Sequence, residues 1–319
     1  MSKIIFIVGP TATGKSDVAY LLAKRLKAEI ISCDSMLVYK EPKIITAKPA
    51  KKMLSDIPHH FINLISVTEK YSVYDYYQKA TKKIKELYNQ NIPAVVCGGT
   101  GLYFKVLLDG IFLQSKKDDS LRKKLYQQAK EGGLGVLYKK LSRVDPKTSE
   151  KISENDQKRI IRALEVYYLT GKPISSKKKE AKGLWGKTPI KVFGLKLDRG
   201  KLYERIEQRV DDMFSQGAID EVKGLLDKKL SLTAEKIIGI NEIKDYLKNK
   251  GDSLHTGTVP LVGEAKEKIK QNTRRFAKRQ ITWFKKDPRI EWIDAEGMAA
   301  EEVANMIRCK MQGAKGDKQ

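Results

Sequence analysis

Cysteine is scarce in this chain. Only Cys33, Cys97 and Cys309 occur among 319 residues, an odd number with no metal-ligand spacing. That excludes a disulfide framework and a zinc finger and predicts a reducing, cytoplasmic setting. Histidine is equally thin at three residues. His59 and His60 stand together without further ligands, and a loop role is expected of them rather than a metal or catalytic pair. No run approaches the about 20 apolar residues of a membrane helix, so no membrane partner is expected. The opening run 3–8 is short, meets glycine at once and lacks a signal-peptide cleavage pattern. Internal repeats are absent. Acidic residues are in deficit: 63 Lys+Arg face 39 Asp+Glu, a net charge of +24. Such a charge draws polyanions over distance and suits a nucleic-acid partner, although a basic solubility surface has the same composition. Hydrophobic residues at 41% exclude a disordered chain. The length allows one large domain with an insertion, or two domains.

Residues 3–8 read as a buried strand, β-branched and aromatic, stopped by Gly9-Pro10. A helix over 15–26 follows, turning Val18, Leu21, Leu22 and Leu26 inward. Strands at 29–33 and 93–97 alternate with helices at 73–90 and about 100–108. This alternation predicts an α/β fold, a parallel sheet covered by helices. Strand signal then fades. Helices at 121–131 and 156–169, and a lysine-rich mobile loop at 175–182, suggest a helical insertion over 115–185. An apolar strand returns at 192–197, and a short one is expected at 291–293. The core therefore comprises 1–114 and 186–319, helices dominate its second part, and 313–319 reads as a frayed tail.

Gly9-Pro10-Thr11-Ala12-Thr13-Gly14-Lys15-Ser16 fits G-x-x-x-x-G-K-[ST] between a strand and a helix. Glycine lets backbone wrap a phosphate closely, and amides at the helix start point at the anion. Gly9, Thr11, Ala12, Thr13, Gly14, Lys15 and Ser16 are the candidate pyrophosphate site. Lys15 adds a point charge there, and the Ser16 hydroxyl is the candidate ligand of Mg²⁺. An ATPase normally adds an acid at a neighbouring strand end. Here strand 93–97 runs into Gly98-Gly99-Thr100, which weakens a kinase or ATPase reading. Asp34 follows the second strand and Thr100 the third. In a parallel sheet both should reach the crevice that holds the phosphate loop. A carboxylate, a hydroxyl and a pyrophosphate cradle together suggest group transfer with pyrophosphate leaving; a turn residue is the simpler reading of Asp34 alone.

These residues resemble the bacterial tRNA dimethylallyltransferase (tRNA isopentenyltransferase) family over nearly the whole chain. The resemblance is carried by the loop at 9–16, Asp34-Ser35 with Tyr39, Thr46-Ala47-Lys48-Pro49 and Pro58-His59-His60. It continues through Gly98-Gly99-Thr100-Gly101-Leu102-Tyr103, Asn155-Asp156 with Arg159, and Arg162-Ala163-Leu164-Glu165. Arg205-Ile206-Glu207-Gln208-Arg209 and Ala277-Lys278-Arg279-Gln280-Ile281-Thr282-Trp283 complete it. The chain departs from the family pattern at Lys43 and Ile45, at Asn63, and at Ile240-Asn241.

The resemblance implies a P-loop NTPase-like sheet and transfer of a dimethylallyl group from its pyrophosphate to the exocyclic amine of an adenine just 3′ of the anticodon. It implies Asp34, Thr100 and Arg209 as catalytic residues, with Asp34 the general base. Lys15, Ser16 with Mg²⁺, Thr100 and Arg209 would stabilise the leaving pyrophosphate. It further implies tRNA contacts at Asp34, Ser35, Met36, Leu37, Thr100, Arg122, Lys158, Arg159, Ile160, Ile161 and Arg162. The partners are then tRNA and dimethylallyl pyrophosphate, and a monomer is expected.

On the helix 156–169, Lys158, Arg159 and Arg162 share one side while Ile160, Leu164, Tyr167 and Tyr168 can pack inward. A solvated face is the ordinary fate of such charges. In the basic stretch 266–279, Ile269 and Phe276, with Ile281 beyond it, are expected core contacts, and Trp283 is expected in the core rather than as a base-stacking platform. Three rival functions stand beside the main one. They are a P-loop small-molecule kinase, an adenylate prenyltransferase acting on free nucleotide, and an RNA-binding module with a vestigial loop.

Overall fold

The computed structural model describes residues 3–112, 118–256 and 262–312. The chain opens with β1 (Ile4–Val8), α1 (Lys15–Leu26), β2 (Glu29–Ser32), α2 (Lys51–Asp56), β3 (His59–His60), α3 (Val73–Asn89), β4 (Ala94–Gly98) and α4 (Gly101–Asp109). Five helices follow: α5 (Asp119–Glu131), α6 (Leu134–Val144), α7 (Pro146–Ser149), α8 (Gln157–Thr170) and α9 (Ile174–Glu180). Then come β5 (Ile190–Lys196), α10 (Arg199–Ser215), α11 (Ala218–Lys223), α12 (Ile240–Thr256), α13 (Val262–Phe284), β6 (Glu291–Asp294) and α14 (Ala300–Gln312). The chain forms two compact units, Met1–Leu107 with Trp185–Gln319, and Leu108–Leu184. The second unit thus begins inside α4 at Leu108, seven residues before the expected 115. The expected tail at 313–319 lies outside the described residues.

The first unit is built on one six-stranded sheet of order β3-β2-β4-β1-β5-β6, parallel throughout. Its central strands are apolar without alternation, as strands covered on both faces must be. All five residues of β1 and of β4 are buried. Ile5 and Ile7 face a core of Val18, Leu22, Val95, Phe193, Val303 and Ile307. Phe6 faces the other way and meets Phe104 edge-on at 5.7 Å, which in turn meets Phe284 at 5.6 Å. Helices therefore cover both faces, and every strand ends on the same edge of the sheet. On that edge Val8 lies beside Gly98 and Gly194, and Ser32 beside Cys97. The segments after β1, β2 and β4 consequently emerge together.

His59 and His60 form a short edge strand rather than a loop. His60 Nε2 lies 2.5 Å from a Glu29 carboxylate oxygen on β2, which secures that edge. The stretch 43–45, where the chain departs from the family pattern, is held by one carboxylate. Glu221 accepts from the amides of Lys43 at 2.5 Å, Ile44 at 2.8 Å and Ile45 at 3.0 Å. Backbone donors make these bonds, so the loop keeps its shape whatever side chains stand there. Asn63, another departure, sits at φ 56°, a left-handed conformation that asparagine tolerates.

The second unit packs Leu125, Leu137, Leu141, Ile160 and Leu164 into its own core. Residues 174–180 form helix α9 and not the expected loop. The lysine-rich composition hid a distant partner: the buried Asp145 accepts from the Ser175 amide at 2.9 Å and so satisfies the first turn of that helix.

Candidate active site

The phosphate loop is a product of three left-handed turns. Gly9 has φ 137°, and a Cβ there would lie 2.5 Å from the Leu195 carbonyl oxygen of β5, so only glycine fits. Ala12 at φ 64° and Gly14 at φ 81° complete the wrap. Gly14 stands at the start of α1 with no side-chain cap, which leaves the first-turn amides to an incoming anion. Lys15 is buried; its ammonium donates to the Pro10 carbonyl, and Thr13 Oγ1 lies 3.5 Å away. Burial pushes the Lys15 ammonium down to about 8, Cys97 and Asp34 act to raise it, and Arg209 acts to lower it. Ser16 is exposed on the first turn of α1.

Asp34 follows β2. Its Oδ1 accepts from the Met36 amide at 2.8 Å, so one oxygen shapes its own turn. Thr100 follows β4, and its Oγ1 accepts from the Ser35 amide at 2.9 Å and lies 3.2 Å from Ser35 Oγ. The hydroxyl therefore ties the end of β4 to the turn that carries Asp34. Arg209 enters from α10. Burial pushes its guanidinium down, and the charge of Asp34 opposes that shift.

Thr11, Asp34, Thr100 and Arg209 line one cavity of about 390 Å³. Met36, Met213, Ile237, Ile269 and Phe276 give it an apolar wall. A cavity that combines polar groups, a phosphate-loop residue and apolar side chains suits an amphiphilic ligand. A second groove of about 730 Å³ touches the loop only at Pro10 and holds none of these groups. Trp283 is no core residue: it is 41% exposed and borders the first cavity beside Gly101. Phe276 lines that cavity too, while Ile269 packs as expected. The apolar wall was missed in sequence because its members come from four distant segments.

On α8, Lys158 and Arg159 are exposed. Arg159 pairs with Asp156 at 3.2 Å. Arg162 differs. It bonds the fully buried Glu165 at 2.9 Å, and Arg122 bonds the same carboxylate at 2.8 and 3.0 Å. Ile160 and Ile161 are core residues at 0% and 2% exposure, on the stripe that closes the unit against α5 and α6. Tyr168, expected inward, is exposed.

This cavity sets Thr11 of the phosphate loop and the Asp34 carboxylate in one lining, and a family model described as IPP transferase matches residues 37–287. The chain belongs to the IPP transferase family. It is 43% identical over 310 residues to a tRNA dimethylallyltransferase of Natranaerobius thermophilus, spanning 95% of this chain and 90% of that protein. A tRNA dimethylallyltransferase of Carboxydothermus hydrogenoformans is 42% identical, with 96% of each chain covered. Among solved structures, a tRNA isopentenylpyrophosphate transferase from Bacillus halodurans is 35% identical with a TM-score of 0.68 over 98% of both chains. A eukaryotic dimethylallyltransferase acting on tRNA superposes with a TM-score of 0.78 at 27% identity, over 98% of this chain and 80% of that one. The family match begins after the phosphate loop and Asp34, whereas the two relatives align over 95% and 96% of the chain.

Proposed function

We propose that this protein transfers a dimethylallyl group from dimethylallyl pyrophosphate to the N6 amine of the adenine 3′-adjacent to the anticodon in tRNA, releasing pyrophosphate. The observation that carries the reading is one cavity lined by Thr11 of the phosphate loop, Asp34, Thr100 and Arg209 together with the apolar side chains of Met36, Met213, Ile237, Ile269 and Phe276. The loop amides and Lys15 hold the pyrophosphate, and the apolar wall takes the prenyl chain. Adenine N6 is a weak nucleophile because its lone pair is conjugated into the ring. As N6 bonds to the allylic carbon, the carbon–oxygen bond breaks and its electron pair leaves with pyrophosphate. Asp34 takes the N6 proton through the oxygen its turn leaves free. Arg209 and Lys15 stabilise the charge that builds on the leaving group. Thr100 holds the Asp34 turn; its hydroxyl would have to turn away from Ser35 Oγ to serve the pyrophosphate as well. The target base must leave its stack to reach such a pocket.

Among the described residues no three acidic, histidine or cysteine side chains cluster as a metal site. The exposed Ser16 hydroxyl is a hard oxygen beside the phosphate cradle, which suits Mg²⁺ held mainly by pyrophosphate oxygens and water. Bound there, the ion would neutralise part of the leaving-group charge. The exposed Lys158 and Arg159, and the Arg122–Arg162 pair on Glu165, are proposed tRNA phosphate contacts, with Ser35, Met36 and Leu37 beside the target base. Among the described residues no helix is long and apolar enough to cross a membrane. A cytoplasmic monomer is the proposed working form. Incubation with radiolabelled dimethylallyl pyrophosphate and either unmodified tRNA or AMP tests the reading. Label is expected in tRNA alone; label in AMP alone would make this an adenylate prenyltransferase, and label in neither would refute prenyl transfer.

A further inference from the structure

Gln280 lies near the end of α13 on the same stripe as the buried Ala277 and Phe284. A primary amide in such a place costs free energy unless both of its ends are paired. Both are. Its Oε1 accepts from the Thr11 amide at 2.9 Å, and its Nε2 donates to the Gly99 carbonyl at 2.9 Å. Only 5% of the residue is exposed. Its two partners belong to different segments of the site: Thr11 lies in the phosphate loop after β1, and Gly99 immediately precedes Thr100 after β4. Space is tight, since a Cβ on Gly99 would lie 2.2 Å from the Gln280 amide nitrogen. The Thr11 amide is thus held from the protein side, and the phosphate is left to the amides at the start of α1. From Gly99 the chain of bonds continues through Thr100 Oγ1 to the Ser35 amide and the turn of Asp34.

We propose that Gln280 is a positioning residue that fixes the phosphate loop against the Asp34–Thr100 turn, so that the donor's reacting carbon is held in line with the acceptor amine. The inference rests on the proposed prenyl transfer and adds a residue to it. Bond formation between two bound substrates depends steeply on their alignment, and a displacement near 1 Å costs about 10²-fold in rate. A second, weaker tie between the loop and the strand end comes from β4 itself, where Cys97 Sγ donates to the Lys15 carbonyl at 3.5 Å.

The test is single-turnover prenyl transfer by Gln280→Met, which keeps the length and volume and removes both bonds. At saturating donor and tRNA the rate should fall about 10- to 100-fold, while tRNA affinity stays within about twofold of wild type. A role confined to stability would lower Tm and leave the rate per folded enzyme untouched, so a wild-type rate in Gln280→Met overturns the proposal. If that variant does not fold, Gly99→Ala displaces the Gln280 amide without deleting it. It should give the same loss of rate with tRNA binding intact, and again a wild-type rate overturns the proposal. Wild-type enzyme is run alongside. If wild type itself transfers nothing, the prenyl-transfer reading falls. Calorimetric binding of inorganic pyrophosphate then decides on Gln280: about tenfold weaker binding in Gln280→Met supports its hold on the loop, and equal binding refutes it.

Discussion

The phosphate loop and the helix α8 both offer positive charge to an anion, yet they do so in opposite ways. At the loop, the single cation is Lys15, buried and held on the Pro10 carbonyl, and the remaining donors are backbone amides fixed by Gly9, Ala12 and Gly14. On α8, Lys158 and Arg159 stand in water, and Arg162 shares a buried carboxylate with Arg122. A desolvated charge in fixed geometry discriminates one phosphate arrangement from another. A solvated charge supplies attraction that salt screens and that carries little shape. On the proposed reading the first region serves a small pyrophosphate and the second a long, regular polyanion.

The largest effect should come from the carboxylate beside the loop. In Asp34→Asn the Oδ1 that accepts from the Met36 amide is retained, so the turn survives. What is lost is the basic oxygen. Single-turnover transfer should drop by roughly 10²–10⁴-fold, while tRNA binding, measured by filter retention, stays near wild type. A wild-type rate would reduce Asp34 to a turn residue and leave the loop and α8 alike as mere binding surfaces.

The next effect sharpens the comparison through pH. Burial sets Lys15 at about 8 in the free protein. Pyrophosphate favours the ammonium and so raises its pKa again on binding. Below about 8 the group is charged before and after binding, and affinity should be flat. Above it, binding must take up a proton, and affinity should fall by up to about tenfold per pH unit. Lys15→Met should weaken dimethylallyl pyrophosphate by on the order of 10²-fold at pH 7, by loss of a buried charge-assisted donor. It should also erase that alkaline slope. Donor binding by calorimetry from pH 7 to 10 in both proteins measures this; a slope that persists in Lys15→Met would place the titrating group elsewhere.

The same contrast separates what the sequence disclosed from what it hid. Local signals were sufficient for β1, the loop and α1, where a continuous apolar strand, two glycines and a helical stripe follow within 26 residues. The approach of Asp34 and Thr100 to the loop followed from parallel topology alone. Distant polar partners left no local trace. Helix α9 looked like a loop because its cap partner, Asp145, lies 30 residues upstream. Trp283 looked like core because its neighbours along α13 are core, and the helix rotates it to the cavity mouth instead. Gln280 and Glu165 did leave a readable sign: each is a polar residue on an otherwise buried helical stripe, which is tolerable only if its bonds are satisfied. That sign gives a bonded residue but not its partners, which fold-level geometry supplies.

The smallest and most discriminating effect concerns neighbours on α8. Arg159 and Arg162 look equivalent in sequence, three residues apart on one face. In the fold they are not. Arg162 is tied to Glu165, a carboxylate with no exposed surface, whereas Arg159 is 63% exposed and pairs only with Asp156. Arg162→Glu would set a second acid against a buried one that Arg122 still pairs, and should destabilise the unit 108–184 by about 1–3 kcal/mol; its tRNA binding is then read only on protein that urea melts show to be folded. Lys158→Glu with Arg159→Glu touches no buried group and should change stability by less than about 1 kcal/mol. If the two side chains neutralise phosphates, the slope of log affinity against log salt should become shallower by about 0.7–0.9 for each phosphate no longer paired. Dimethylallyl pyrophosphate binding should not move, because the loop's charge is a separate, buried one. Urea melts of the variants and tRNA titrations between 50 and 200 mM salt (roughly the span over which phosphate pairing is strongly felt) resolve the two. An unchanged slope in the double variant would make Lys158 and Arg159 a solvated face and leave tRNA attraction on this unit to the Arg122–Arg162 pair.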